Sequence, residues 1–350
     1  MNLKLSKNEI IELLSENDIL KLAGIADEVK QELHYNTDIA TFVVDRNINY
    51  TNICSCKCKF CAFYKTKDQD DSYILFYPEI KEKIQELVDI KGTQILMQGG
   101  LNSALGFDYY LNIVSSIKKD FPSIDIHSFS PAEIDFIAKN EKISHIEVIQ
   151  EFKKLGLSSI PGGGAEILSD NIRNKISPNK ITSERWLEIM KSVHELGMSS
   201  TATMVYGFGE SLEDIFEHLE KIKKLQSETG GFTAFIPWSF AAENTELASN
   251  VKFYETTAFD YLKILAVSRI MLNNIKNIQV SWVTQGLKVA QLGLKFGAND
   301  FGGTMLEENV VKAAGVVNKS TKTEIIKNIK MAGFVPAQRN TAYELLNIYN

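Results

Sequence analysis

Strand-like and helix-like segments alternate about eight times along this chain of 350 residues, and that alternation constrains the fold more than any other feature. The predicted strands are short apolar runs over residues 48–53, 93–97, 124–127, 157–160, 200–205, 232–236, 279–283 and 299–302. Apolar residues at helical spacing predict the helices between them, over 78–89, 109–118, 131–140, 146–155, 183–196, 212–228, 257–273 and 287–295. Repeated βα order predicts a parallel sheet with right-handed crossovers. Eight such units predict an α/β fold closed into a (β/α) TIM-type barrel.

Segments outside this alternation predict two additions to the barrel. Apolar residues at helical spacing indicate two helices, over 7–16 and 19–34, in an N-terminal segment of residues 1–40. The barrel is then expected over residues 41–305. Residues 306–350 follow the last predicted strand, and we expect them to form a helical extension packed on the barrel.

The charge and the hydropathy of the chain indicate which classes of partner it does not bind. The net charge is −6 and the basic residues are scattered, which argues against a nucleic-acid surface. No apolar run approaches the about 18 residues of a membrane helix. The first eight residues are polar and no apolar signal-peptide core follows them. We therefore expect a cytoplasmic protein that contacts neither membrane nor nucleic acid.

All four cysteines lie between residues 54 and 61, which favours metal binding in a reducing compartment over a disulfide framework. Cys54, Cys58 and Cys61 have the spacing C-x-x-x-C-x-x-C. Three thiolates can hold three irons of a 4Fe–4S cluster, which usually has four protein ligands, and one iron then stays open. A zinc site would require Cys56 as the fourth ligand in a compressed loop without histidine. We therefore interpret Cys56 as a bystander.

The remaining chemistry-bearing motifs follow the predicted strands in order. In a parallel barrel the carboxyl ends of the strands form one face, where active sites lie. These motifs include a Gln-Gly-Gly turn, a His-Ser-Phe-Ser run and a triple glycine that precedes a glutamate. The residues concerned are Gln98, Gly99, Gly100, His127, Ser128, Ser130, Glu166, Tyr206, Trp238, Thr284 and Gln285. Their order along the chain predicts a single site at that face.

The cysteine motif with Phe60 before Cys61, placed on the first barrel strand, resembles the radical S-adenosylmethionine (SAM) superfamily. The resemblance implies a 4Fe–4S cluster whose open iron binds SAM, and cleavage of SAM to methionine and a 5′-deoxyadenosyl radical. Stretches 98–102, 127–133, 159–166 and 230–237 resemble the radical SAM enzymes of futalosine-dependent menaquinone biosynthesis. Stretches 237–240, 281–286 and 297–303 are most similar to the cyclase family of that pathway, the cyclic dehypoxanthinylfutalosine synthases.

This resemblance implies roles for the candidate residues. Phe60, the turn from Gln98 to Gly100, Glu166 and Arg185 are expected to bind SAM, with Arg185 pairing with its carboxylate. The expected substrate residues are Ser128, Ser130, Trp238, Trp282, Thr284 and Gln285. His127 and Tyr206 are candidates for the general base. Structural roles compete with these: Ser130 and Glu133 have the spacing of a helix capping box, and both tryptophans suit a barrel core.

The implied substrate is dehypoxanthine futalosine, a small molecule in which a ribose is joined through a ketone to a benzoate ring. The implied electron donor is a protein such as flavodoxin or ferredoxin. Two alternatives stay open. One is aminofutalosine synthase, which has the same fold, and the other is a non-catalytic Fe–S electron carrier.

Overall fold

A computed structural model describes residues 5–34, 38–250 and 256–350, and side chains within that range except at 249–250. Residues 1–4, considered above for a signal peptide, and residues 35–37 of the predicted N-terminal segment lie outside the described residues. Within the described ranges, no helix is both long enough and apolar enough to cross a lipid bilayer.

Strands and helices alternate as the sequence predicts. The strands are β1 Ile39–Val43, β2 Asp45–Ile48, β3 Gln94–Met97, β4 Asp125–Ser128, β5 Ser159–Ile160, β6 Ser199–Tyr206, β7 Phe232–Ser239, β8 Asn277–Ile278, β9 Asp300–Gly303, β10 Val335–Arg339 and β11 Leu345–Ile348. The helices are α1 Lys7–Ser15, α2 Ile19–Leu33, α3 Tyr77–Asp89, α4 Phe107–Asp120, α5 Pro131–Glu141, α6 His145–Lys154, α7 Asp170–Ile176, α8 Ser183–Glu195, α9 Leu212–Thr229, α10 Glu246–Asn250, α11 Ala258–Met271, α12 Trp282–Gly293, α13 Val310–Ala313 and α14 Lys322–Met331.

The central structure is a ring of parallel strands. Strands β2 to β8 form a seven-stranded sheet in chain order. A parallel bridge from Gln279 to Asp300 joins the end of β8 to β9, and β9 pairs with β1 through Thr41 and Asp300. Because β1 runs into β2 after one residue, the ring closes on itself. The predicted parallel barrel is confirmed.

Local sequence signals position the helices that surround the ring. Six of the described helices begin with a capping box, in which a Ser or Thr side chain and an acidic side chain three residues later satisfy the free amides of the first turn. These pairs are Ser6/Glu9, Ser130/Glu133, Ser144/Glu147, Ser211/Asp214, Thr257/Asp260 and Thr321/Glu324. Apolar faces of the helices then pack on the barrel in one continuous core.

Two strand predictions are wrong in position. The first barrel strand is β1–β2, and residues 49–53 contribute only isolated bridges, from Thr51 to Ile74 and from Ile53 to Lys65. The β-branched and aromatic residues Ile48, Tyr50, Thr51 and Ile53 resemble a strand, but the chain after Ile48 already forms the loop that leads to the cysteines. Near 279–283, the strand β8 ends at Ile278 and Trp282 begins helix α12.

The C-terminal extension is only partly helical. Helix α14 agrees with the prediction, but β10 pairs parallel with β1, and β11 pairs antiparallel with β10. The chain after β10 reaches the amino ends of the barrel strands, where Thr341 Oγ1 donates to Gln94 Oε1 at 2.8 Å. Arg339 forms a buried ion pair with Asp300 of β9. The extension therefore forms the floor of the barrel.

Candidate active site

The cysteine loop lies at the carboxyl end of β2 and is held by its neighbours. The backbone N–H of Leu101 donates to Cys54 Sγ at 3.3 Å, which ties the loop to the turn after β3. The backbone N–H of Lys59 donates to the carbonyl of Ile176 at 2.8 Å. Hydrogen bonds from backbone N–H groups on two sides therefore fix the loop that carries the thiols.

All four cysteines are free thiols and line one cavity of about 240 Å³. Burial raises the pKa of Cys61 to about 11, so the thiol is protonated at neutral pH in the absence of a metal, and binding of a metal would release its proton. Soft sulfur donors on one loop suit the irons of an Fe–S cluster. Among the residues that the structure describes, no three His, Cys, Asp or Glu side chains are arranged to hold a single metal ion. Three of these thiols have the spacing and the chemistry that a cluster with one open iron needs.

The Gln98-Gly99-Gly100 turn lies against the cysteine loop and lines the same cavity. A Cβ atom on Gly100 would lie 2.2 Å from the carbonyl oxygen of Ile53, so only glycine permits this approach. The backbone N–H of Gly99 donates to Glu133 Oε1 at 3.0 Å. Backbone groups of this turn are thus presented to the cavity in a fixed orientation.

Glu133 connects three parts of the site. Its Oε1 accepts hydrogen bonds from Gly99 N–H and from the Tyr50 hydroxyl at 2.7 Å, and its Oε2 accepts from the backbone and hydroxyl of Ser130. The predicted capping box of Ser130 and Glu133 is therefore confirmed. Burial raises the pKa of Glu133, and these donors partly offset that effect.

We expect Glu133→Gln to weaken SAM binding and to lower the free energy of unfolding by about 1–3 kcal/mol. The side-chain amide of glutamine would replace one carboxylate oxygen by an NH₂ group. That group would face N–H or O–H donors that now have a carboxylate oxygen as their acceptor. Glu147→Gln is the matched control, since Glu147 has the same place in the capping box of α6 but is exposed. Thermal unfolding and calorimetric SAM titration measure both effects. Equal SAM affinity in the two variants would contradict a role for Glu133 in holding the turn.

Glu166 lies in the loop after β5, in a backbone conformation that few residues adopt. Its φ is 42°, in the left-handed region, which is strained for a residue with a side chain. Lys180 Nζ lies 2.7 Å from Glu166 Oε1, and Arg173 lies 3.5 Å from Glu166 Oε2. Lys180 and Glu166 both line the cavity of the cysteines. Glu166 and Lys180, from two different loops, therefore present a buried carboxylate and a largely buried ammonium to that cavity.

The structure does not bring Arg185 to this cavity. Its guanidinium pairs with Asp135 at 2.7 Å and with Glu188 at 2.8 Å on the outer side of helix α8. The expectation that Arg185 faces SAM is corrected, because α8 directs this side chain toward α5. Lys180, which precedes α8, lines the cavity of the cysteines instead.

Phe60 lines the same cavity, as its position beside Cys61 suggests. Its ring packs on Phe208 with 5.6 Å between ring centroids, and Lys180 Nζ lies 5.6 Å from the ring centroid. The ring therefore has one face in an aromatic cluster and stands beside the buried ion pair.

A second cavity of about 200 Å³ fills the inside of the barrel. It shares four residues with the cavity of the cysteines: Gln98, Gly163, Gly164 and Glu166. The two cavities therefore adjoin at the carboxyl end of the barrel. Polar and apolar side chains line the second cavity, among them Asp45, His127, Thr201, Thr203, Trp238 and Arg339.

His127 and Trp238 both reach the inside of the barrel. His127 Nδ1 lies 2.6 Å from Ser159 Oγ, and burial lowers the pKa of His127 to about 3. The ring is therefore neutral and a weak base at neutral pH. The indole N–H of Trp238 is buried and has no hydrogen-bond partner within the described part of the chain.

The other candidates separate into two groups. Ser130 lines the cavity of the cysteines. The rest line neither cavity: Ser128, Tyr206, Trp282, Thr284 and Gln285. Ser128 follows the inward-facing His127 on β4 and is fully buried on the opposite side of the strand. Burial raises the pKa of Tyr206 well above 10, so this phenol is not a base at neutral pH.

Sequence reasoning did not identify Lys180, Arg173, Asp45 or Arg339. Lys180 lies in a loop and Arg173 on a short helix, where charged residues usually face solvent. Asp45 begins the strand that was placed too late in the chain, and Arg339 belongs to an extension expected to be helical. The available signal was the run of β-branched and aromatic residues from Thr41 to Val44, directly before Asp45, which favours a strand that begins earlier in the chain.

Two family models together match most of the chain. The model of the radical SAM superfamily matches residues 48–222, and the CofH/MqnC C-terminal region matches residues 229–350. The first match contains the cysteine loop, the Gln-Gly-Gly turn and Glu166. The second contains the floor of the barrel.

Curated relatives match over nearly the full length. The cyclic dehypoxanthine futalosine synthase of Halalkalibacterium halodurans is 46% identical, over 99% of this chain and 92% of its own. The enzyme of the same name from Streptomyces coelicolor is 42% identical, over 99% of this chain and 87% of its own. The 5-amino-6-(D-ribitylamino)uracil–L-tyrosine 4-hydroxyphenyl transferase of Archaeoglobus fulgidus is 43% identical, over 96% of this chain and 97% of its own.

Among solved structures, the FeFe-hydrogenase maturase HydG from Carboxydothermus hydrogenoformans has the same fold. Its TM-score is 0.76 at 17% identity, covering 97% of this chain and 77% of the maturase. The barrel fold, the position of the motifs at the carboxyl ends of its strands, and these matches all indicate the same family. The chain belongs to the radical SAM superfamily and, within it, to the family that includes the cyclic dehypoxanthine futalosine synthases.

Proposed function

We propose that this protein is the radical SAM cyclase that converts dehypoxanthine futalosine to cyclic dehypoxanthinylfutalosine in the futalosine pathway of menaquinone biosynthesis. The reaction removes a hydrogen atom from the ribose C4′ and closes a ring onto the benzoate. One observation carries the proposal: the cavity of the cysteines adjoins a cavity inside the barrel at Gln98, Gly163, Gly164 and Glu166. A radical formed beside the thiols is thus next to a substrate held inside the barrel.

Cys54, Cys58 and Cys61 would hold a 4Fe–4S cluster, which when bound supplies the electron that cleaves SAM. The turn Gln98–Gly100 would bind SAM through its backbone groups, and Glu133 keeps that turn in place. Glu166 can accept from hydroxyl or ammonium groups of SAM. Lys180 can pair with the SAM carboxylate, the role that the sequence assigned to Arg185.

The barrel contributes position and exclusion of water, because the difficult chemistry belongs to the cofactor. The indole N–H of Trp238, without a partner in the described protein, is a hydrogen-bond donor for the substrate. Ser130 is placed to contact the ligands of the outer cavity. Side chains around the inner cavity would hold the benzoate below the ribose.

An external one-electron donor, such as flavodoxin or ferredoxin, is part of the proposal, because each cleavage of SAM begins with one electron. Four free thiols fit a reducing compartment, and we therefore propose that the enzyme works in the cytoplasm.

A second candidate function is the transfer of a 4-hydroxyphenyl group from L-tyrosine to 5-amino-6-(D-ribitylamino)uracil. The 43% identity to the Archaeoglobus fulgidus transferase favours it. It would use the same cluster and the same cavity but a different pair of substrates.

Anaerobic turnover of the reconstituted protein tests the proposal. The protein is supplied with SAM, dithionite and either dehypoxanthine futalosine or the two substrates of the transferase, and products are read by mass spectrometry. We expect a product two hydrogens lighter than dehypoxanthine futalosine, formed together with 5′-deoxyadenosine. Product from the tyrosine and uracil pair alone would replace the cyclase by the transferase. 5′-Deoxyadenosine without either product would contradict both.

A further inference from the structure

Gln98 lies where the cavity of the cysteines meets the cavity inside the barrel. Gln94 and Leu96 of β3, and Gln98 directly after that strand, all line the inner cavity, because every second residue of a strand faces the barrel interior. Gln98 is at the carboxyl end of the strand and also lines the cavity of the cysteines. Its side chain therefore stands between the place where the radical forms and the place proposed for the substrate.

The backbone of Gln98 already has partners. Its N–H donates to the carbonyl of Ile48 at 3.1 Å, which extends the ladder between β2 and β3, and its carbonyl accepts from Asn49 Nδ2 at 3.3 Å. The side-chain amide, in contrast, makes no hydrogen bond within the described part of the chain. Gln98 can therefore offer a ligand its side chain, which has an acceptor oxygen and two donor hydrogens.

Gly163 leaves the space that this amide occupies. A Cβ atom on residue 163 would lie 2.5 Å from Gln98 Nε2, and its three nearest atoms would all belong to the amide of Gln98. The φ of Gly163 is outside the left-handed region, so its backbone conformation does not require a glycine. The absence of a side chain at residue 163 therefore makes room for the Gln98 amide at the junction of the two cavities.

The other polar side chain at this junction is already paired. Four residues line both cavities: Gln98, Gly163, Gly164 and Glu166. The glycines have no side chain, and Glu166 pairs with Lys180 at 2.7 Å and with Arg173 at 3.5 Å. Within the described residues, Gln98 thus has the one unpartnered polar side chain at the junction. A neutral amide that both donates and accepts suits a hydroxyl group, which does the same.

We propose that the side-chain amide of Gln98 hydrogen-bonds the 3′-hydroxyl of the substrate ribose and so positions C4′ for the radical, an inference that rests on the proposed cyclase function. The radical forms in the cavity of the cysteines and the substrate lies inside the barrel, so C4′ has to lie at the junction. The 3′-hydroxyl is on the carbon next to C4′ and reaches the junction with it. Loss of the amide should therefore misplace C4′ without changing the cofactor end of the site.

The ribose of SAM has hydroxyls of the same chemistry, and Gln98 also lines the cavity proposed for SAM. We assign the contact to the substrate because Gln98 belongs to the inward-facing side chains that follow β3 into the barrel. The unpartnered indole N–H of Trp238 lies on β7, four strands around the ring from β3. A polar ligand in the inner cavity would then be held from two sides.

The test compares wild type, Gln98→Met and Gln291→Met in anaerobic turnover with SAM, dithionite and dehypoxanthine futalosine. Methionine is unbranched like glutamine but has no amide. Gln291 is a matched control, because it is half-buried on α12, donates to the carbonyl of Asn328 at 3.1 Å and lines neither cavity. For Gln98→Met we expect cyclised product to fall about 10²-fold, because a small misplacement of reacting atoms can cost that much. Gln291→Met should keep product and 5′-deoxyadenosine coupled.

The fate of deuterium distinguishes misplacement from general damage to the site. With substrate labelled at C4′, we expect Gln98→Met to form 5′-deoxyadenosine in excess over product. Most of that 5′-deoxyadenosine should carry no deuterium, because the radical then takes its hydrogen from another donor in the mixture. A variant damaged only in its fold would lose 5′-deoxyadenosine and product together.

Binding measurements without reductant separate the two riboses. Calorimetric titration of SAM should give Gln98→Met an affinity equal to that of wild type. Titration of dehypoxanthine futalosine into the SAM complex should give a Kd about 2- to 10-fold higher, the usual contribution of one hydrogen bond. The analogue that lacks the 3′-hydroxyl should bind both proteins equally, because the group that Gln98 contacts is missing.

Gly163→Ala is a second variant, and it leaves Gln98 in the chain. Its methyl group would push the amide of Gln98 aside, and because that amide is the end of a flexible side chain, we expect the fold to persist. The same excess of unlabelled 5′-deoxyadenosine should appear. Thermal unfolding of both variants beside wild type checks that the fold is kept.

Coupled product at the wild-type level in Gln98→Met would overturn the inference. Equal losses of SAM and substrate affinity would also overturn it, and so would an analogue without the 3′-hydroxyl that still distinguishes the two proteins. Wild type that forms 5′-deoxyadenosine but no cyclised product would instead overturn the proposed function. The two failures are therefore distinguishable.

Discussion

Cys58→Ala is expected to abolish cluster binding and all turnover, whereas Cys56→Ala keeps both. The two thiols lie 3.4 Å apart in one loop, and both are buried. Only Cys58 belongs to the C-x-x-x-C-x-x-C triad. A cluster that keeps one iron open for SAM has no protein ligand to spare, so loss of one thiolate removes it. Cys56 lies outside the triad and should be dispensable.

Iron and sulfide analysis, absorption spectra and anaerobic turnover measure this difference between two cysteines of nearly equal burial. The pair of variants is informative because any general damage to the loop affects both. A Cys56→Ala protein without a cluster would show that the fourth thiol is a ligand and would reopen the zinc alternative. A Cys58→Ala protein with a full cluster and normal turnover would contradict the mechanism.

Lys180→Met is expected to abolish SAM binding and to lower the free energy of unfolding by about 3–5 kcal/mol, the usual cost of removing one partner of a buried ion pair. Lys180 and Glu166 are both largely buried, with side-chain exposures of 15% and 6%. Burial lowers the pKa of Lys180, but the attraction of Glu166, Cys58 and Cys56 together more than offsets it, so the net shift is upward and the amine is charged. Without this charge, Arg173, at 3.5 Å, is the ion-pair partner left to Glu166 within the described part of the chain.

Arg185→Met is the matched control for Lys180→Met. Arg185 also pairs with a buried carboxylate, Asp135, but on the outside of the barrel, and Lys139 remains as a second partner of Asp135. We expect SAM affinity to be unchanged and the loss of stability to be small. Calorimetric titration of SAM into both variants, with urea unfolding of each, separates the cases. Weaker SAM binding in Arg185→Met than in Lys180→Met would favour the original sequence assignment.

The sequence predicts the barrel and the location of the site because both depend on local patterns. The cysteine spacing, the Gln-Gly-Gly turn and the glycines before Glu166 are contiguous motifs, and the order of strands places them at one face. A single glycine in the sequence can indicate a close backbone contact, as Gly100 does for its approach to the carbonyl of Ile53. Local capping signals, such as Ser130 with Glu133, place the helix starts.

Contacts between side chains that are distant in the sequence cannot be predicted from local patterns. Arg185 lies on the side of α8 that faces Asp135, whereas Lys180 precedes that helix and reaches Glu166, and the spacing of these residues reveals neither arrangement. The first strand was misplaced because Asp45, Arg46 and Asn47 interrupt the apolar run that ends at Val44, and Asp45 lines the inner cavity. Polar side chains line the inner cavity because the interior of the barrel is open. The incorrect strand prediction therefore falls at a residue that lines the functional cavity.

The central claim is that a radical formed beside the cysteine loop removes hydrogen from the ribose C4′ of dehypoxanthine futalosine. The most direct measurement uses substrate labelled with deuterium at C4′, turned over anaerobically with unlabelled SAM, and determines the mass of the 5′-deoxyadenosine formed. The account predicts 5′-deoxyadenosine one mass unit heavier and a cyclised product without the label. Cyclised product accompanied by unlabelled 5′-deoxyadenosine would contradict it.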